Sequence, residues 1–216
     1  MTRSHAIASA SRFVSLEGGE GAGKSTVLGA LAQALRDTGE RVVCTREPGG
    51  TPLAEEMRRL LLSAGDDLPT AETELLLMFA SRAQHVQRVI APALAAGGWV
   101  LSDRFTDASH VYQGAARGID SDTVTALEQR FVGIKPGLTL LLDVPVGIGR
   151  ARASGRSHPD RIEGEQDGFF ESVRQAYLAR AAAEPQRFRI IDATRPPAEV
   201  AEEAVAALNA YIAALE

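Results

Sequence analysis

The sequence predicts an α/β protein built on a five-stranded parallel sheet flanked by helices on both faces. Three observations lead there. Short apolar runs recur at 12–17, 41–45, 99–102, 138–143 and 188–191, as strands covered on both faces require. Stretches of helical spacing separate them, and strand–helix alternation implies parallel pairing through crossovers. The chain has 216 residues and neither an internal repeat nor a low-complexity linker, which suits one α/β core.

The first run, Phe13 to Glu17, opens into Gly18-Gly19-Glu20-Gly21-Ala22-Gly23-Lys24-Ser25-Thr26. Gly18, four residues, then Gly23-Lys24-Ser25 fits the phosphate-cradling pattern G-x-x-x-x-G-K-[ST]. Gly18, Gly19, Gly21 and Gly23 permit positive φ and close approach of phosphate oxygens. A helix over 25–35 follows, and its first N–H groups and dipole attract an anion. Lys24 is then placed to reach the β and γ phosphates, and the Ser25 hydroxyl to ligate Mg²⁺. The expected form of the sheet is the three-layer P-loop NTPase fold, and the expected ligand a nucleoside triphosphate.

The second run ends at Cys44, read as a small buried hydrophobe. As the only cysteine, it excludes an intrachain disulfide and fits a reducing cytoplasm. Thr45-Arg46-Glu47-Pro48-Gly49-Gly50-Thr51 follows, at a strand end where loops of parallel sheets line the binding crevice. Leu53, Met57, Leu60 and Leu61 after Pro52 have helical spacing. A longer helical run spans 71–96, interrupted at Pro92 and closed by Gly97-Gly98. The third run delivers Asp103 and Arg104 to its carboxyl end. A carboxylate there can orient a magnesium-bound water, and a guanidinium can grip phosphate bidentately. Ser109, Tyr112, Gln113, Gly114 and Arg117 form a polar and aromatic cluster suited to one small planar ligand.

The fourth run ends at Asp143. The segment 147–168 then carries Arg150, Arg152, Arg156 and Arg161 with few large apolar residues. It is expected to be a mobile, phosphate-clamping lid inserted in the single domain 12–216. Pro196-Pro197 opens a last helix with the apolar stripe Val200, Ala204, Leu208, Ile212 and Leu215. Residues 1–11 read as a frayed tail, too short in apolar character for a signal peptide. No run approaches the ~20 apolar residues of a membrane span. A net charge of −5 argues against nucleic-acid partners, which need a basic surplus. Three phosphate-facing elements on neighbouring strands, with an arginine lid, point to phosphoryl transfer between two bound nucleotides.

From Phe13 to Thr194 the chain resembles the bacterial thymidylate kinase family. The most specific stretches are Glu17 to Ser25, Thr45 to Gly50, Asp103-Arg104, Tyr112-Gln113-Gly114 and Arg117 to Asp120. The resemblance implies phosphorylation of dTMP to dTDP by ATP and Mg²⁺, on the route to dTTP, by in-line transfer in a homodimer packed through helices. It implies that Glu20 lies near the dTMP 3′-hydroxyl and phosphate, and that Arg58 and Arg104 hold that phosphate. Arg82 would bond thymine O4, with Ser109 and Gln113 also at the base, beside Glu47 and Pro48. Tyr112 would lie beneath the deoxyribose. Lid arginines, Arg156 or else Arg152, would stabilise the transferring group, with Asp160 and Glu163 as acidic lid residues. Ser25 and Asp103 would hold the metal. The loop from Asp192 to Arg195 is the expected adenine contact, and Arg152 is expected among the ATP-binding residues. Family members often stack an aromatic ring on thymine where this chain has Met78, so either Met78 or Phe79 would fill that place. Two other readings stand beside this one: a kinase for another nucleoside monophosphate or small metabolite such as shikimate, and a non-enzymatic nucleotide switch.

Overall fold

In a computed structural model that describes residues 8–153 and 161–215, the sheet has five parallel strands in the order β2-β3-β1-β4-β5. They are β1 (Ala8–Gly18), β2 (Val42–Arg46), β3 (Trp99–Asp103), β4 (Ile134–Asp143) and β5 (Phe188–Asp192). Every expected strand is present. Two begin earlier than the sequence suggests. β1 starts at Ala8, so residues 8–11 belong to the sheet and not to a frayed tail; a register shift between Ala10 and Val14 lets this end pair with β4 from Ile134. β4 includes Pro136, whose missing N–H forbids it inside a fully paired strand. Pairing of β4 with β5 begins only at Thr139, so Pro136 has β1 alone as neighbour.

Alternation along the strands sorts side chains between two faces. Val14, Leu16, Leu138, Leu140 and Leu142 pack with Val27, Leu31 and Leu35 of α1 (Lys24–Asp37) and Ala204 and Leu208 of α9 (Pro197–Ala213). Phe13 and Val100 face the other way, onto Leu75 and Phe79 of α3 (Ala71–His85) and onto Phe105. Leu141 on that side meets Val173 and Tyr177 of α8 (Asp167–Ala183). Each such large apolar side chain contributes about 1.5–3 kcal/mol by leaving water. Leu215, expected on the last apolar stripe, lies past the end of α9 and is exposed. Cys44 is exposed too, because β2 is an edge strand.

Helix starts follow local chemistry. Thr51 Oγ1 accepts the Ala54 N–H at 3.1 Å and Pro52 occupies the first turn of α2 (Pro52–Leu62). Thr70 caps α3 in the same way. Pro92 does not break the helical run. A π-helical turn over Val86–Ile90 precedes it and α4 (Ala91–Ala95) continues past it, an adjustment that tolerates a residue without an N–H. The segment expected to form a lid begins in helix α7 (Val146–Ala153).

Candidate active site

The phosphate loop bridges the end of central β1 and the start of α1. Gly18, Gly21 and Gly23 have φ of 137°, 67° and 88°, and Gly23 is the N-cap of α1; Gly19 does not use the left-handed region. A Cβ on Gly21 would stand 2.0 Å from the Gly149 carbonyl oxygen of α7, so loop and helix touch backbone to backbone. Lys24 Nζ donates to the carbonyls of Gly19 (2.9 Å) and Gly18 (3.3 Å). Desolvation, then the Arg104 charge, pull the Lys24 amine down to about 8 against Asp103, Glu20 and Glu17. Such an ammonium is poised to gain from an anion.

A cleft of about 280 Å³ runs from Glu20, Lys24 and Ser25 to the ends of β2 and β3. Glu47, Pro48, Arg58, Met78, Asp103, Arg104, Tyr112, Gln113 and Glu163, all anticipated from the sequence, line it. Arg58 is held by the Pro48 carbonyl at 3.0 Å. Arg104 has a φ of 70°, unusual for a non-glycine. Its guanidinium donates to the hydroxyls of Tyr112 and Tyr177, each at 3.0 Å, and lies 4.9 Å from the Tyr112 ring centroid. Asp103 Oδ1 is buried without a hydrogen-bond partner among the described residues. An orphaned carboxylate oxygen of a residue that lines the same cleft as Ser25 suits a hard cation, which takes one or two carboxylates and fills its other positions with phosphate and water.

Three residues expected at the base are not among those that line the cleft. Phe79 is part of the core, with the Arg82 guanidinium 4.8 Å from its ring centroid. Arg82 is fully buried behind the cleft wall, and its three nitrogens donate to Glu47, Ser109 and the Phe105 carbonyl. Ser109 is consumed by that contact and is equally buried. The packing reason is plain: a guanidinium between two aromatic rings and a carboxylate is satisfied in the interior. Arg82 and His85 together clamp the Glu47 carboxylate, and His85 Nε2 lies 2.6 Å from Thr45 Oγ1, so the pair shapes the cleft from behind. Of the donor-side residues, Arg152 donates to the carbonyls of Ala193 (2.6 Å) and Thr194 (3.0 Å). This ties α7 to the loop after β5. Arg195 pairs with Glu203. Gly18 and Gly19 line a smaller recess beside the loop, Ala22 is buried, and Thr26 is exposed in the first turn of α1. Arg156 and Asp160 lie outside the described residues.

Sequence reasoning missed the groups beneath the loop. Glu17, fully buried, accepts from the Phe105 N–H at 2.8 Å and the Tyr177 hydroxyl at 2.7 Å. Burial, then the like charge of Asp107, raise its carboxyl to about 8 despite Arg104. Asp107 goes the other way. Burial would raise it, but Arg187 and Arg180 outweigh that and hold it at about 2. A glutamate ending an apolar strand was the available signal for Glu17; nothing local announces Tyr177, 160 residues away.

A phosphate loop opening into one cleft walled by Arg46, Arg58 and Arg104 on a parallel sheet defines a nucleotide-binding phosphotransferase of the P-loop class. A family model described as thymidylate kinase matches residues 16–204, and the chain belongs to the thymidylate kinase family. It is 55% identical over 197 residues to a thymidylate kinase of Pseudomonas putida (strain W619), covering 91% of this chain and 95% of that one. With one from Alcanivorax borkumensis it shares 54% over 193 residues, 89% and 93% of the two chains. The crystal structure of thymidylate kinase from Ehrlichia chaffeensis superposes with a TM-score of 0.76 at 29% identity, covering 93% and 99%.

Proposed function

We propose that the chain is an ATP:dTMP phosphotransferase, making dTDP from dTMP by in-line transfer of the γ-phosphoryl group. The observation that carries this reading is one cleft that holds Lys24 and Ser25 at one end and Arg58, Arg104, Tyr112 and Gln113 at the other. A nucleotide switch has no need of a second anion pocket beside its phosphate loop.

In this reading ATP lies on the loop with Lys24 along its β and γ phosphates. Arg58 and Arg104 hold the dTMP phosphate, Tyr112 supports the deoxyribose, and Met78 and Gln113 meet the base. Arg82 and Ser109 act from behind, through Glu47 and the cleft wall. Ser25 and Asp103 would hold Mg²⁺, which supplies neutralisation of phosphate charge when bound. No general base is needed, because the accepting oxygen is already anionic at neutral pH. Glu20 flanks the acceptor phosphate. Lid arginines, Arg156 foremost, would complete the charge clamp and exclude water. The remaining assembly proposal is a homodimer through α2 and α3. Leu53, Leu60 and Leu76 are about half exposed there, more apolar surface than an isolated helix pair needs to show.

The test is ADP release with ATP and Mg²⁺ against dTMP, dUMP, dCMP, UMP, AMP and shikimate. Turnover led by dTMP is expected. A lead by another acceptor would reassign the base pocket, and ATP binding without any turnover would favour the switch.

A further inference from the structure

Glu74 of α3 is buried, with 2% of its surface exposed. Its Oε1 accepts from Gln113 Nε2 at 2.8 Å, and its Oε2 accepts from Arg161 Nη2. Arg161 is itself anchored to the Leu61 carbonyl at 3.0 Å, and Arg117 Nη2 stands 3.5 Å from the same carboxylate oxygen. A carboxylate between two guanidinium groups has only lone pairs to offer. The Gln113 amide must therefore turn its NH₂ toward Glu74. Gln113 itself lines the cleft, and its Oε1 is left buried and without a partner among the described residues. A buried orphan acceptor calls for a donor.

We propose that Glu74 is a specificity-setting positioning residue. By taking the Gln113 amide N–H it locks Gln113 Oε1 as an acceptor, matched to the N3–H donor of a thymine or uracil ring and mismatched to the N3 lone pair of cytosine. The proposal rests on the dTMP reading of the cleft. Arg161 and Arg117 keep the carboxylate from rotating, so the amide has one orientation instead of two. A pocket that leaves a polar group unpaired against the wrong ligand discriminates strongly, about 10- to 100-fold for one lost hydrogen bond.

The test is a reciprocal swap. Glu74→Gln can still accept from Arg161 but offers an NH₂ to Gln113, which turns the Gln113 amide over. We expect kcat/KM for dTMP to fall about 10- to 100-fold while dCMP gains relative to dTMP, with KM for ATP unchanged. The double variant E74Q/Q113E restores one donor facing one acceptor and presents an oxygen to the cleft, so the dTMP preference should return. On the unmodified protein, dTMP methylated at N3 should bind far more weakly than dTMP. Equal binding of the two would overturn the proposal. So would an E74Q variant that melts normally yet keeps the wild-type dTMP/dCMP ratio, or a double variant that recovers nothing. Absence of dTMP turnover in the unmodified protein would overturn the acceptor reading, and this proposal with it.

Discussion

At the scale of single residues, the ionisable groups beneath the phosphate loop make the sharpest claims. Glu17 titrates near 4.5 when unperturbed and at about 8 in the fold. Between those values the folded protein keeps a proton that the unfolded chain has released. Stability should therefore fall as pH rises across that window, by at most about 1.4 kcal/mol per pH unit. Glu17→Gln resembles the protonated form and should flatten the slope, measured by urea unfolding at pH 5 to 8; an unchanged slope would place the proton elsewhere. Lys24 makes the complementary claim. An anionic phosphate restores the charge that desolvation suppresses, so ATP affinity should weaken as pH rises through about 8, with proton uptake on binding above it. Titration calorimetry in buffers of different ionisation heat reads this directly. The residue scale also shows where a linear reading stops. Motif spacing placed Lys24, Asp103 and Arg104 in the cleft because each sits at or just past a strand end, and Tyr112 and Gln113 because they lie on the helical turns that follow β3. It could not separate Met78, which lines the cleft, from its neighbour Phe79, which packs in the core. Successive residues of a helix point about 100° apart, and which of the two faced the core depended on the sheet underneath.

Among elements, the contact between the phosphate loop and α7 is the tightest joint in the site. A Cβ on Gly149 would stand 2.4 Å from the Glu20 carbonyl oxygen, and one on Gly21 would meet Gly149 in return. Gly149→Ala should push α7 away from the loop and cost about 1–3 kcal/mol of stability, in line with other overpacked contacts. The larger effect is expected on ATP, since Arg152 of the same helix reaches the loop after β5. A thermal melt and separate KM values for ATP and dTMP would decide it, and an equal rise in both would contradict the joint's donor-side role. Most elements were legible from apolar runs and caps. The misjudged boundaries share a cause. Residues 8–11 and Pro136 look unlike strand on local preference, and they become strand by pairing with each other's segment across more than 120 residues.

For the molecule as a whole, strand order divides the labour. The loop after central β1 faces the acceptor loops that follow β2 and β3 on one side, and α7 and the loop after β5 on the other. That is the switch point at which open parallel sheets bind ligands. On the acceptor half, α2 and α3 present Leu53, Leu60 and Leu76 outward while turning Arg58, Glu74 and Met78 into the cleft. Association through this face would therefore brace the acceptor pocket and leave the phosphate loop untouched. A stable interface covers about 800 Å² on each partner, which two helices of eleven and fifteen residues can supply with their flanking turns. Leu60→Glu combined with Leu76→Glu should convert a sedimenting dimer to monomer, and should raise KM for dTMP several-fold more than KM for ATP. A double variant that still sediments as a dimer would move the interface to another face. A monomer with both KM values unchanged would keep the interface but sever its link to the acceptor pocket.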